Sequence, residues 1–136
     1  SGICNLALAY QGVEELLSKL KKSQKKVFIV TNKRYIPTIK IISHLGWSNL
    51  IDDIYTVDYP GYGLKKKSSV LEQMLLDHSL QRADTCYVGD RKDDYEAAYL
   101  NGLKFIHALW GYGDDDFSVP HLYSVDSPNQ LSALLV

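Results

Sequence analysis

Apolar and polar residues alternate along this chain with two different periods, and the changes of period mark out its elements. Val13, Leu16, Leu17 and Leu20 recur at helical spacing with charges between them, which predicts a helix over about residues 12–23, started near Gly12. The basic run Lys21, Lys22, Lys25 and Lys26 reads as its solvated end, where cations complement the helix dipole. Residues 27–31 (Val27 to Thr31) are β-rich and uncharged, as in a strand buried on both faces. A second helix is predicted from Tyr35 to Leu45, with Ile36, Ile39 and Ile42 inward, Pro37 in its first turn and Gly46 as its stop. Ile54 to Val57 reads as a short strand, followed by a Pro/Gly loop from Tyr59 to Leu64. Val70, Leu71, Met74 and Leu75 mark a third helix, with Ser69 and Glu72 as its expected capping box. Thr85 to Val88 is another buried strand, and a helix is expected from about Asp93 to Leu100, stopped by Gly102. Strands over Lys104–Leu109 and Leu122–Val125 and a closing helix over Pro128–Leu135 complete the pattern.

This alternation of buried strands and amphipathic helices predicts a single α/β domain over residues 1–136, with a parallel sheet flanked by helices. In such sheets ligands bind beyond the carboxyl ends of the strands. Thr31, Asp58 and Gly89-Asp90 all fall at strand ends, so the polar residues are expected to collect on one rim.

Composition narrows the classes without naming one. A chain of 136 residues with 46% hydrophobic and 23% charged residues has an ordinary globular make-up and can support a core. Its 15 basic and 16 acidic residues give a net charge of -1, so there is no electrostatic reason to expect nucleic acid or an anionic membrane as partner. No apolar stretch reaches membrane-spanning length, and the first residues lack the basic and apolar regions of a signal peptide. Cys4 and Cys86 are not spaced as a zinc site, and Cys86, in an apolar run, reads as a free thiol in a reducing, cytoplasmic compartment. The opening Ser1-Gly2, without an initiator Met, reads as a tag scar or a cut end. His44, His78, His107 and His121 have no spacing that suggests a metal site or a base.

The chemistry concentrates in Val88-Gly89-Asp90-Arg91-Lys92-Asp93-Asp94. A strand delivers Asp90 to the rim, and Asp94 falls in the first turn of the next helix, facing the same space. Carboxylates clustered there suit a hard cation that keeps several waters, which means Mg²⁺. The competing reading is an acidic helix start that merely complements the dipole. Thr31, followed by Asn32 and Lys33, offers a hydroxyl and backbone N–H groups that can hold a phosphate oxygen, although Thr-Asn at such a turn is often just a cap. Lys65, Lys66 and Lys67 precede a helix start, where one lysine can pair with a phosphate and the acidic cluster. Lys67 is favoured, two residues before the expected cap at Ser69, with Lys65 as the runner-up.

In order, Tyr10-Gln11-Gly12-Val13-Glu14-Glu15-Leu16-Leu17, Val30-Thr31-Asn32-Lys33, the lysine run, Val88-Gly89-Asp90…Asp94-Tyr95-Glu96-Ala97-Ala98 and Leu109-Trp110-Gly111-Tyr112-Gly113 resemble the haloacid dehalogenase (HAD) superfamily, nearest its phosphoglycolate-phosphatase-like branch. The resemblance implies a Rossmann-like (HAD-type) parallel sheet and an Mg²⁺-dependent hydrolase of a small phosphorylated metabolite that works through a phospho-aspartate. It assigns phosphate binding to Thr31 and to its neighbour Asn32, charge neutralisation to Lys67 or Lys65, a magnesium ligand to Asp90 and the second acid of that motif to Asp94.

The departure from that pattern is the nucleophile, the first Asp of an Asp-x-Asp pair on a central first strand. Asp114 and Asp116 have the spacing but lie in a polar stretch near the C-terminus, and no Asp precedes Gly12. Two readings compete. In one, the chain is a C-terminal part lacking that strand and the cap inserted after it, with residues 1–9 as cap remnant. In the other, residues 3–9 are a degenerate first strand, with Asn5 and Ala7 where the aspartates belong, and the protein is an inactive phosphate-binding or interaction module. The first is preferred, because the gap between Leu8 and Gly12 is too short for the usual connection. By the family's strand order, a missing first strand leaves a slot between the strands ending at Thr31 and at Asp90. Unpaired strand edges are costly, so the slot is expected to be filled by residues 3–9, by a preceding segment or by a second chain.

Overall fold

The pattern of apolar positions becomes five parallel strands and five helices in a computed structural model that describes residues 12–58, 65–109 and 123–135. Helix α1 (Val13–Lys22) buries Val13, Leu16, Leu17 and Leu20 as its spacing requires, and starts from Gly12 in the left-handed region at φ 92°. Strand β1 (Phe28–Thr31) follows, then α2 (Tyr35–His44), β2 (Asp53–Thr56) and α3 (Lys67–Asp77). A single 3₁₀ turn leads into β3 (Cys86–Gly89), followed by α4 (Lys92–Leu100), β4 (Lys104–Ala108), β5 (Tyr123–Val125) and α5 (Pro128–Leu135). Among the described residues no helix is long and apolar enough to cross a membrane.

Two expectations about helices need correction. Ile36 is 60% exposed, whereas Thr38 is fully buried. The threonine tolerates burial because its hydroxyl donates to Arg34 O at 2.8 Å, so the inward face of α2 turns toward Thr38 and Ile42. The Ser69/Glu72 capping box does not form: α3 starts three residues earlier, with Lys66 as its cap residue and Ser69 inside the first turn, bonded through its N–H to Lys66 O. Lys67 is therefore the first helical residue.

Every strand pairing among the described residues is parallel. β1 runs beside β2 from Phe28↔Asp53 to Thr31↔Thr56, β3 beside β4 from Cys86↔Lys104 to Gly89↔His107, and β4 beside β5 from Ile106↔Tyr123 to Ala108↔Val125. Successive strand residues face opposite sides, so Ile29 and Ile106 pack with α1 and α5 while Val30 and Phe105 pack with α3 and α4. Both faces are thus covered, as a parallel sheet demands.

The described ladders form two groups, β1-β2 and β3-β4-β5, with no pairing between β1 and β3. The expected slot falls at this break. Direct pairing of β1 with β3, which would leave no room for another strand, is not found among the described residues. Asn5, Ala7 and the rest of the opening segment lie outside the described residues, as do Cys4, the Tyr59–Leu64 loop, the Trp110–Gly113 motif, and Asp114 with Asp116.

Candidate functional site

The Asn32–Asp93 hydrogen bond joins residues just beyond the carboxyl ends of β1 and β3, so the two strands deliver those ends to one rim. At the end of β1, Thr31 is fully buried, and its Oγ1 accepts the Lys33 N–H at 3.1 Å. That turn leaves the hydroxyl proton of Thr31 available to an acceptor. Asn32 is exposed and reaches across the break, its Nδ2 donating to Asp93 Oδ2 at 2.8 Å.

Of the three lysines, only Lys67 is buried. Its place at the first position of α3 turns the ammonium inward, where Nζ lies 2.5 Å from Asp94 Oδ1 and 3.5 Å from Asp93 Oδ2. Burial alone would lower the Lys67 pKa, but the charge and hydrogen bond of Asp94, helped by the Asp93 charge, hold it above the ordinary lysine value. The ammonium is therefore a fixed positive charge at neutral pH.

Asp94 lies in the first turn of α4 and is fully buried. Its Oδ1 accepts from Lys67 Nζ and from the Tyr87 hydroxyl at 3.0 Å. Its Oδ2 accepts the backbone N–H groups of Asp90 at 3.3 Å and Arg91 at 3.2 Å. The carboxylate thus caps the start of α4 and neutralises a buried cation at once. Gly89 makes this packing possible: a Cβ there would sit 2.5 Å from Asp94 Cβ and 2.6 Å from Oδ2.

Tyr87 is a site residue that sequence reasoning missed. Burial, reinforced by the Asp94 charge, pushes its phenol well above the ordinary tyrosine value, so the hydroxyl keeps its proton and acts as a donor. The same oxygen lies 3.4 Å from Val30 O, across the break between the two strand groups. A polar tip in an otherwise apolar strand was the available signal, because a buried tyrosine hydroxyl needs a partner.

Asp90 is 2% exposed at the end of β3. Asp93, beside it, keeps a pKa below the ordinary aspartate value: partial burial works the other way, but the Lys67 charge and the Asn32 hydrogen bond prevail. Its Oδ1 is a buried oxygen that accepts no hydrogen bond. Among the described residues, no group of three or more His, Cys, Asp or Glu side chains is placed to hold a metal ion. Mg²⁺ does not need three, since it takes one or two carboxylates and completes its shell with water and phosphate oxygens. The Asp90 carboxylate and an orphaned Asp93 oxygen are donors of that kind.

Two other polar residues near the rim have different settings. Asp58, just beyond β2, accepts the Thr56 hydroxyl at 2.8 Å and the Tyr35 N–H at 2.9 Å, and so caps α2. His107 stands opposite Gly89 in the β3–β4 ladder, where burial lowers its pKa against the pull of the Asp90 charge.

Comparison with known proteins agrees with this architecture. The family described as haloacid dehalogenase-like hydrolase matches residues 5–108. Phosphoglycolate phosphatase of Xanthomonas campestris pv. campestris (strain 8004) is 32% identical over 114 residues, covering 81% of this chain and 50% of that protein. The chain therefore spans about half the length of the curated relatives it matches. A predicted phosphatase from Clostridium acetobutylicum superposes with a TM-score of 0.83 at 26% identity, over 93% of this chain and 59% of that one. A predicted phosphoglycolate phosphatase from Haemophilus somnus 129PT gives 0.77 at 21% identity, over 92% and 56%, a likeness of fold alone.

Proposed function

We propose that this chain, which belongs to the haloacid dehalogenase-like hydrolase family, supplies the phosphate-handling part of a phosphatase acting on a small phosphate ester. The observation that carries the reading is the buried Lys67–Asp94 pair, closed at 2.5 Å on the rim where Thr31 and Asp90 end their strands. Isolating a cation there from water has a considerable desolvation cost, and a phosphate that needs neutralising gives the charge a use.

In this reading Thr31 donates its free hydroxyl proton to a phosphoryl oxygen, and Asn32 presents its amide beside it. Lys67 offsets the charge of the phosphate and of an attacking carboxylate. Asp90 holds Mg²⁺, and Asp94 supports it by fixing the Asp90 N–H and the Lys67 ammonium. The cation, when bound, neutralises phosphoryl charge, and positioning and electrostatics carry most of the catalysis. The nucleophilic aspartate, which would be phosphorylated and then hydrolysed, comes from sequence outside this chain. The 32% identity to a phosphoglycolate phosphatase over 81% of this chain supports a small phosphate monoester as the substrate class.

The test is direct. With Mg²⁺, the chain alone should bind inorganic phosphate, more weakly after Thr31→Val, and should not turn over p-nitrophenyl phosphate. Steady turnover that disappears in Asp90→Asn would overturn the assignment of the nucleophile to another segment.

A further inference from the structure

We infer that Asn101 is a positioning residue for Lys67: from the far end of α4, its side chain holds the first turn of α3 where the ammonium meets Asp94. The use of this role rests on the reading of Lys67 as the charge that faces a phosphate. Asp94, Ala97, Ala98 and Asn101 follow the i, i+3, i+4, i+7 spacing of one helix face, and all four are buried. Tyr99 and Leu100, on other sides of α4, are exposed. Ala97 and Ala98 pack in the same cluster as Val70 and Leu71 of α3, and their small side chains let the two helices approach closely. The polar residues stand at the two ends of that stripe, one heptad or about 10 Å apart. At one end Asp94 takes the Lys67 ammonium. At the other, Asn101 Nδ2 donates to Ser68 O, the carbonyl of the next residue, at 3.0 Å.

A merely local role does not account for this second bond. Asn101 is the C-cap residue of α4, and for that its Nδ2 needs only Ala97 O, at 2.9 Å. An amide nitrogen carries two protons, and the second leaves the helix for Ser68 O. The start of α3 needs an outside hold, because its cap residue Lys66 makes no side-chain cap bond and its first turn has no acidic residue. Asn101 is itself held from the turn after α3, where Arg82 Nε donates to its carbonyl oxygen at 2.7 Å. The Lys67 ammonium sits on a flexible four-carbon stem, so the place of the first turn of α3 decides which partners it can reach.

The experiment uses the whole chain with Mg²⁺ and two readouts. One is exchange of the Lys67 ammonium protons with water by NMR, assigned by their absence in Lys67→Met. The other is affinity for inorganic phosphate by calorimetry. Asn101→Ala should speed the exchange and weaken phosphate binding about fivefold, the equivalent of one ordinary hydrogen bond. Arg82→Ala removes the other bond to Asn101 but leaves its amide in place. It should lower the melting temperature and keep the ammonium signal and the phosphate affinity near wild type. If Asn101→Ala does not fold, Asn101→Leu, which fills similar space without the donor, carries the same test. An unchanged ammonium signal in a folded Asn101 variant, or the same change in Arg82→Ala, would overturn the inference. Absence of phosphate binding by the wild-type chain would instead overturn the phosphate reading, with the ammonium signal still deciding whether Asn101 holds Lys67.

Discussion

The two strand groups meet on the same rim with the same local plan, a parallel strand running into a helix start, yet they end in different chemistry. On the β1–β2 side the carboxylate is Asp58, and it caps α2 through Tyr35 N–H with the Thr56 hydroxyl as its second donor. On the β3–β4–β5 side the carboxylate is Asp94, and it caps α4 in the same manner but also holds a buried ammonium. The difference is Lys67, which belongs to neither strand group and arrives on α3. A strand-end carboxylate is thus only a cap until a third element brings it a desolvated charge. The Asn32–Asp93 and Tyr87–Val30 contacts then tie the two sides into one site.

That contrast can be broken experimentally, beginning where the effect should be greatest. Asp94→Ala leaves a buried ammonium with only the more distant Asp93, and should cost about 3–5 kcal/mol in urea unfolding, the usual penalty for breaking a buried pair. Asp58→Ala should cost clearly less, because no buried charge is orphaned. Equal losses would mean that the two sides do not differ as described. Gly89→Ala forces a Cβ into Asp94 and should lose about 1–3 kcal/mol by overpacking, together with a lowered Lys67 pKa by NMR as the pair is pushed apart. Tyr87→Phe removes one of four donors to Asp94 and should cost about 1 kcal/mol, with the Lys67 contact retained.

The smallest effect is on pH dependence, and its two limbs have opposite signs. Lys67 has a raised pKa, so its pairing stabilises fully below the unfolded lysine value of about 10.4 and fades as pH rises through the higher folded value. Asp93 has a lowered pKa, so its contribution is present above about pH 3.9 and fades as pH falls through the lower folded value. Chemical denaturation across pH should show the alkaline limb vanish in Lys67→Met and the acid limb shrink in Asp93→Asn.

Much of the fold is legible in the sequence because it depends on short-range patterning. The helix over Pro128–Leu135 matches its expected span, and the other described elements shift by only a few residues at their ends. The errors come where a side chain's environment is set from far along the chain. Spacing alone places Ile36 inward, whereas Thr38, which satisfies its own hydroxyl within the helix, takes the buried position. Ser69 has the form of a cap, but α3 begins at Lys67, where the inward turn lets the ammonium meet Asp94.

Sequence by itself determined that Thr31, Asn32 and Asp90 lie at the ends of strands in a parallel α/β sheet, with Asp94 in the first turn of the following helix, because strand period, helix period and their alternation fix that topology locally. The resemblance, through its strand order, also anticipated that β1 and β3 do not pair directly among the described residues. Only tertiary structure decided which lysine is buried, that Tyr87 serves Asp94, and that Asp94 is saturated while Asp93 Oδ1 is left without a donor. Those outcomes rest on hydrogen bonds between residues as far apart as Asn32 and Asp93, whose geometry is set by how helices seat on the sheet and leaves no trace in local spacing.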